Sequence, residues 1–136
     1  MYEVFEHTAD LGLRIRAATL DELFAEAGRA LYSVLVSNPE SIRPLKQLRV
    51  HLQTSDLEYL LLDWLNELLF LFDTQHLVFC QFQVHVEDGS LEAHLGGEPV
   101  DSQRHRLDHE VKAVTYHGLK VRRTTDGWLA EVILDI

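Results

Sequence analysis

Asp10 and Asp135 are the residues whose type and placement first suggest chemistry. Asp10 follows His7 by three positions in FEHTADLGLRI, just after the first apolar stretch, and Asp135 precedes Ile136 in WLAEVILDI. If the strands carrying them are neighbours in a sheet, two side-chain carboxylates and the Ile136 α-carboxylate converge. Oxygen donors of that kind suit a hard divalent cation, Ca²⁺ or Mg²⁺, better than zinc or copper. The competing reading gives each residue a local role, with Asp10 stabilising its own turn and Asp135 solvated at a frayed end. His7 is placed to order the same turn by hydrogen bonding.

Other candidates are weaker. Lys112 and His117 stand in EVKAVTYHG. Beside a carboxylate cluster, Lys112 could hold an anionic group such as a phosphate carried by a partner; otherwise it points out of a strand and does nothing. His105 and His109 have the four-residue spacing of zinc ligands on a helix, but RHRLDHE supplies no third ligand and no helix signature, so a solvated polar face fits them better. His85 and His94 fall in a hairpin and could face each other across it. Cys80 is the single cysteine, which excludes an internal disulfide and a multi-cysteine zinc site. Its alternating apolar neighbours in LVFCQFQV read as core. Glycine-rich phosphate loops, a nucleophile elbow and H-E-x-x-H are all missing, so no complete catalytic constellation is present.

Charge narrows the choice of partner. With 22 acidic and 12 basic residues the formal net charge is −10, which argues against direct binding to a nucleic-acid backbone. It favours a basic protein partner, a cation, or solubility alone. The first residues, MYEVFEHTAD, lack the basic and apolar regions of a signal peptide. The densest apolar stretch, 57–72, is interrupted by Glu58, Asp63, Asn66 and Glu67 and is no membrane span. A cytoplasmic location is expected.

Hydrophobic periodicity supplies the elements that must position these residues. YEVFEH and LGLRIRA read as strands, the second with Leu11, Leu13 and Ile15 alternating against Gly12, Arg14 and Arg16, and Thr8, Ala9 and Asp10 forming the turn between them. Thr19 and Glu22 have capping-box spacing ahead of a helix over about 20–35, and Ser55 with Glu58 repeats it ahead of one over about 56–73. PLKQLRVHLQ reads as a strand, LVFCQFQVHVE-DGS-LEAHLGG as a hairpin, and LKVRR to WLAEVILDI as another around Asp126-Gly127. Residues 97–118 are mixed and resist assignment. No linker or repeat divides the chain. The expectation is one α+β domain over residues 1–136, with mostly antiparallel sheet packed against the two helices.

Four blocks in order, FEHTADLGLRI, LLLDWLNELLFLFDTQ, EVKAVTYHGLKV and AEVILDI, resemble the archease family. The resemblance implies a non-enzymatic accessory protein of RNA ligation. Such proteins assist the GTP-dependent RNA ligase of tRNA splicing, which seals 2′,3′-cyclic-phosphate or 3′-phosphate ends to 5′-hydroxyl ends. They promote guanylylation of the ligase histidine and so permit multiple turnover. It further implies an α+β fold and a divalent-cation site, calcium in the family, with Asp10, Asp135 and Ile136 as ligands and Lys112 nearby as an activating residue. The alternatives are a chaperone-like modulator of a tRNA cytosine methyltransferase, a general chaperone, or a metal-dependent phosphoesterase using His7 or His117 as general base.

Overall fold

The computed structural model describes residues 1–7 and 10–136, and of His7 the strand position alone. The turn expected at Thr8 and Ala9, and any hydrogen bonding by the His7 side chain, lie outside the described residues. Asp10 is the first residue of a strand rather than part of that turn.

In chain order the elements are β1 (Tyr2–His7), β2 (Asp10–Ala17), α1 (Leu20–Leu35), β3 (Lys46–Gln53), α2 (Leu57–Gln75), β4 (Leu77–Glu87), β5 (Ser90–Pro99), β6 (Ala113–Thr124) and β7 (Gly127–Asp135). They form a four-stranded sheet in the order β1-β2-β7-β6 and a three-stranded sheet in the order β3-β5-β4. Every strand pair is antiparallel. The architecture is the expected α+β fold with two helices.

Thr19 caps α1, its Oγ1 accepting from the Glu22 N–H at 3.2 Å. The Glu22 carboxylate meets Arg29 instead of turning back to Thr19, so the capping box is half-formed. At α2 the expected cap, Ser55, is displaced by Asp56. The Asp56 carboxylate accepts from the Glu58 and Tyr59 N–H groups at 2.8 and 3.3 Å, because it is the extended residue directly before the first helical one. The helix continues to Gln75 and stops at His76, whose left-handed backbone turns its N–H back to Leu71 and Phe72.

The core lies between the two sheets and the helices. Leu13, Ile15, Val132 and Leu134 point inward from the four-stranded sheet onto Leu23, Phe24, Leu31 and Leu35 of α1 and Trp64, Leu65 and Leu68 of α2. Two buried polar atoms are satisfied across this packing. The Trp64 indole N–H donates to the Phe24 carbonyl at 2.8 Å, and the Tyr32 hydroxyl reaches the Leu68 and Leu77 carbonyls. Burial pushes the Tyr32 phenol far above its ordinary range.

Four sequence expectations are corrected. Cys80 is half-buried rather than core, because a bulge between Phe79 and Gln81 takes it out of register and breaks the alternation. His85 stands opposite Glu92, and His94 opposite Gln83, so the two histidines do not face each other. His105 is buried, at 2% exposure, not solvated. The strand expected from Pro44 begins at Lys46, leaving Leu45 exposed.

His85 instead bridges Glu87 and the first turn of α1, with ring nitrogens 3.0 Å from Glu87 and 3.3 Å from Asp21. Glu87 first, then Asp21, raise its pKa above the ordinary 6.5. The bridge therefore stabilises the fold fully below about 6.5 and is lost as pH rises through the raised folded value. A ¹H–¹⁵N titration is expected to place the His85 midpoint above 6.5, and Glu87→Gln to bring it down. An unshifted midpoint in the wild type would contradict the bridge.

Candidate functional site

Asp10 and Asp135 are brought together by sheet register. Asp10 pairs with Asp135 across β2 and β7, His7 pairs with Asp10 across β1 and β2, and Ala113 pairs with Asp135 across β7 and β6. Paired positions project to the same face of a sheet. The next row, Leu11, Leu134 and Val114, is buried in the core, so Asp10 and Asp135 lie on the face turned away from the helices. Directly opposed residues have Cα atoms about 4.5–5.5 Å apart. The two carboxylates thus share one small region, and like charges so placed repel unless a cation compensates them.

The surroundings keep the other strand cations away. Phe5 lies flat over Gly12, where an added Cβ would meet the Phe5 ring at 2.1 Å. Arg14 sits over the same ring at 4.7 Å and is engaged by Glu131 at 3.0 Å. Lys120 also turns to Glu131, at 3.6 Å. The acidic row is therefore separated from these cations by an apolar row formed by Phe5 and Ile133.

Lys112 joins the site through its backbone, its N–H donating to the Asp135 carbonyl at 2.7 Å. Its side chain is exposed. Ile136 packs its side chain against the core, which fixes the main chain that follows Asp135. His117 is not gathered in. Between Thr115 and Lys120 the register of β6 slips, and His117 sits exposed in that slip, four positions beyond Ala113. Among the described residues no three His, Cys, Asp or Glu side chains come together. Among the described residues, a cation here would find its remaining oxygens in main chain, the Ile136 carboxylate or water. A set of oxygen donors of this kind suits Ca²⁺ or a largely hydrated Mg²⁺ better than zinc.

The path to Lys112 is held by a cluster that the spacing of RHRLDHE does not disclose. Glu98 of β5, at 3% exposure, accepts from the Arg43 N–H at 2.7 Å, from Arg104, and from the His105 ring at 3.0 Å. The other His105 nitrogen accepts from the Asp101 N–H at 2.9 Å. Asp108 and His109 then donate backbone N–H bonds to Leu35 and Val34, and Val111 is buried. Residues 100–112 are thereby tied stepwise to the end of α1 before Lys112 is reached.

Burial, the largest influence on Glu98, pushes its carboxyl up, but the Arg43 N–H, Arg104 and His105 together hold it below the ordinary 4.5. Its contribution to stability is present above that ordinary value and lost as pH falls through the lowered one. Glu98→Ala is expected to cost about 3 kcal/mol, since it strips partners from a buried donor set. Urea unfolding checks this, and a loss below about 0.5 kcal/mol, typical of a surface change, would mean that the cluster is not structural.

A family model, that of the Archease protein family, matches residues 2–136. The chain belongs to the archease family. The archease of Pyrococcus furiosus is 41% identical over 99% of this chain and 98% of its own length. That of Methanosarcina mazei is 39% identical over 99% and 95%. The solution structure of protein 1598 from Methanobacterium thermoautotrophicum superposes with a TM-score of 0.84 at 33% identity, covering 99% of this chain and 98% of that one. A Thermotoga maritima archease, described as a possible chaperone, shares the fold with a TM-score of 0.67 at 21% identity, over 100% and 98%. No helix among the described residues of this archease-family chain is long and apolar enough to cross a membrane.

Proposed function

We propose that this archease-family protein activates the GTP-dependent RNA ligase of tRNA splicing, promoting guanylylation of the ligase and its multiple turnover, through a divalent-cation site at the end of β2 and β7. The observation that carries the reading is the direct pairing of Asp10 with Asp135, with Lys112 hydrogen-bonded to the same residue. Two carboxylates on directly paired positions offer oxygen donors from two strands to a single hard cation.

In this reading Asp10, Asp135 and the Ile136 carboxylate are the oxygen ligands. Lys112 holds a phosphate oxygen or a partner carboxylate beside them. A bound divalent cation supplies Lewis-acid charge to phosphoryl oxygens. The paired ends of β2 and β7 present these groups together, and the rest of the acidic chain steers the protein towards a basic, nucleotide-binding partner. A protein with this role has no turnover of its own.

The test is guanylylation of the ligase with and without substoichiometric amounts of this protein. Acceleration that disappears with Asp10→Ala supports the activator and the site together. Absence of acceleration with Ca²⁺, Mg²⁺ or Mn²⁺ would overturn the ligase reading and move the function to a methyltransferase modulator or a general chaperone; the Thermotoga structure is described as a possible chaperone. Hydrolysis of a phosphate ester by the isolated protein, lost with Asp10→Ala, would instead make it a phosphoesterase.

A further inference from the structure

The outward face of α2 has the makings of a second interaction surface. Its inner face is consumed by Leu60, Leu61, Trp64, Leu65, Leu68, Leu69 and Leu71. Facing solvent are Tyr59, Asp63, Phe70 and Asp73, with Asn66 half-buried among them. These positions are spaced four, three, four and three, the period of a helix-pairing seam. Tyr59 is 47% and Phe70 54% exposed, about 16 Å apart along the helix axis. At the Tyr59 end the seam is widened by Tyr116, which the slip in β6 turns over α2. The two rings stack at 5.0 Å and 18°, and Tyr116 is itself 49% exposed. Exposed aromatic anchors grouped in this way mark contact surfaces rather than ordinary solvated helix.

Charge decides what would cover it. α2 contains Glu58, Asp63, Glu67 and Asp73 and not one Lys, Arg or His, and Asp56 caps it. Asp73 stands in the last turn, where the helix dipole disfavours an acid, so helix stability does not account for it. We propose that this seam docks a basic amphipathic helix of a partner protein, with apolar side chains over Tyr59–Tyr116 and Phe70 and arginine or lysine opposite Asp63 and Asp73. A second copy of this chain is a poor occupant. An antiparallel pair centred on Asn66 would set Asp63 against Phe70 and Asp73 against Tyr59, burying carboxylates with no cation from either helix. The surface is distinct from the carboxylate pair, which lies on the opposite face of the sheet, and extends the partner-protein reading without needing the ligase.

The test uses a synthetic 21-residue helical peptide with leucine and arginine alternating along one face, and a control with glutamate replacing arginine. Addition of the arginine peptide is expected to shift the ¹⁵N resonances of Tyr59, Asp63, Phe70 and Tyr116, and the control is expected not to. The double variant Asp63→Arg with Phe70→Ala, both exposed positions, should weaken binding about tenfold or more at an unchanged melting temperature. Shifts scattered over other acidic surfaces, binding undiminished in the double variant, or self-association through this seam in sedimentation would each overturn the proposal. With the RNA ligase, the same variant should raise the concentration for half-maximal stimulation by a similar factor with the plateau retained, whereas Asp10→Ala should lower the plateau. If wild type gives no stimulation, the ligase reading fails and the peptide experiment still decides the docking surface.

Discussion

Asp135→Ala is expected to remove the stimulation of ligase guanylylation while leaving the melting temperature within about 4 °C of wild type. Two effects act on that variant, and they separate cleanly. A cross-strand pair of side chains is worth only about 0.2–1 kcal/mol either way, so changing one member alters the stability of the fold little. Removing one of the two carboxylates proposed as ligands should lower cation affinity by at least the roughly 10–100-fold seen for lesser perturbations of metal sites. The backbone bond from Lys112 to the Asp135 carbonyl survives, so Lys112 keeps its place. Calorimetric titration with Ca²⁺ and the guanylylation assay measure the two consequences. A double Asp10→Ala, Asp135→Ala protein that stimulates like wild type would end the proposal that these residues matter.

Trp64→Ala is expected to cost about 5 kcal/mol, the largest stability loss predicted for any position discussed. The side chain is fully buried at the crossing of α2 with α1 and meets Phe82 edge-on, with ring centres 6.5 Å apart. Truncating a buried tryptophan costs about 3–5 kcal/mol in lost contacts and cavity. The Phe24 carbonyl, which accepts its indole N–H, would be left bare in the core, adding about 1–3 kcal/mol if no water enters. A domain of this size holds about 5–15 kcal/mol in total, so the variant should melt about 10–20 °C lower or fail to fold. Trp64→Phe separates the contributions, since it keeps most of the ring volume and loses the hydrogen bond. Its expected cost is about 1–3 kcal/mol by urea unfolding. A Trp64→Ala protein as stable as wild type would show that α1 and α2 are not locked here.

Periodicity in the sequence is enough to place both helices and most strands, because Leu11, Leu13 and Ile15 alternate and α1 repeats its apolar residues every three to four positions. The convergence of Asp10 with Asp135 is conditional on their strands being neighbours; sheet register supplies that condition, and it makes Asp10 a strand residue where the sequence reads as turn. What pattern cannot give is the outcome of competition between neighbours. Ser55 and Asp56 both have the chemistry of a cap, and only the backbone angles choose. Cys80 looks like core until one extra residue in β4 shifts it out of alternation. His105 sits in a run that is polar throughout, and only the arrival of Glu98 from another strand makes a buried cluster of it. His117 shares a motif with Lys112, yet the slip in β6 separates it from the acidic row. The same slip creates the Tyr59–Tyr116 stack, which no spacing within one segment could announce.

Strand order has a consequence for how the molecule comes into being. β2 is made before every other strand and helix it meets except β1, and the pair Arg14–Glu131, which ties it to β7, closes a separation of 117 positions. Contacts between such distant segments are slow to form and depend on the rest of the chain having already organised. β3, α2, β4 and β5 lie wholly within that interval, so they can gather on α1 while β7 is still being synthesised. A chain interrupted before β7 holds Asp10 without its counterpart and leaves the inner edge of β2 unpaired. The carboxylate pair therefore comes into being only when β7 joins β2, and until then Asp10 stands at an open strand edge.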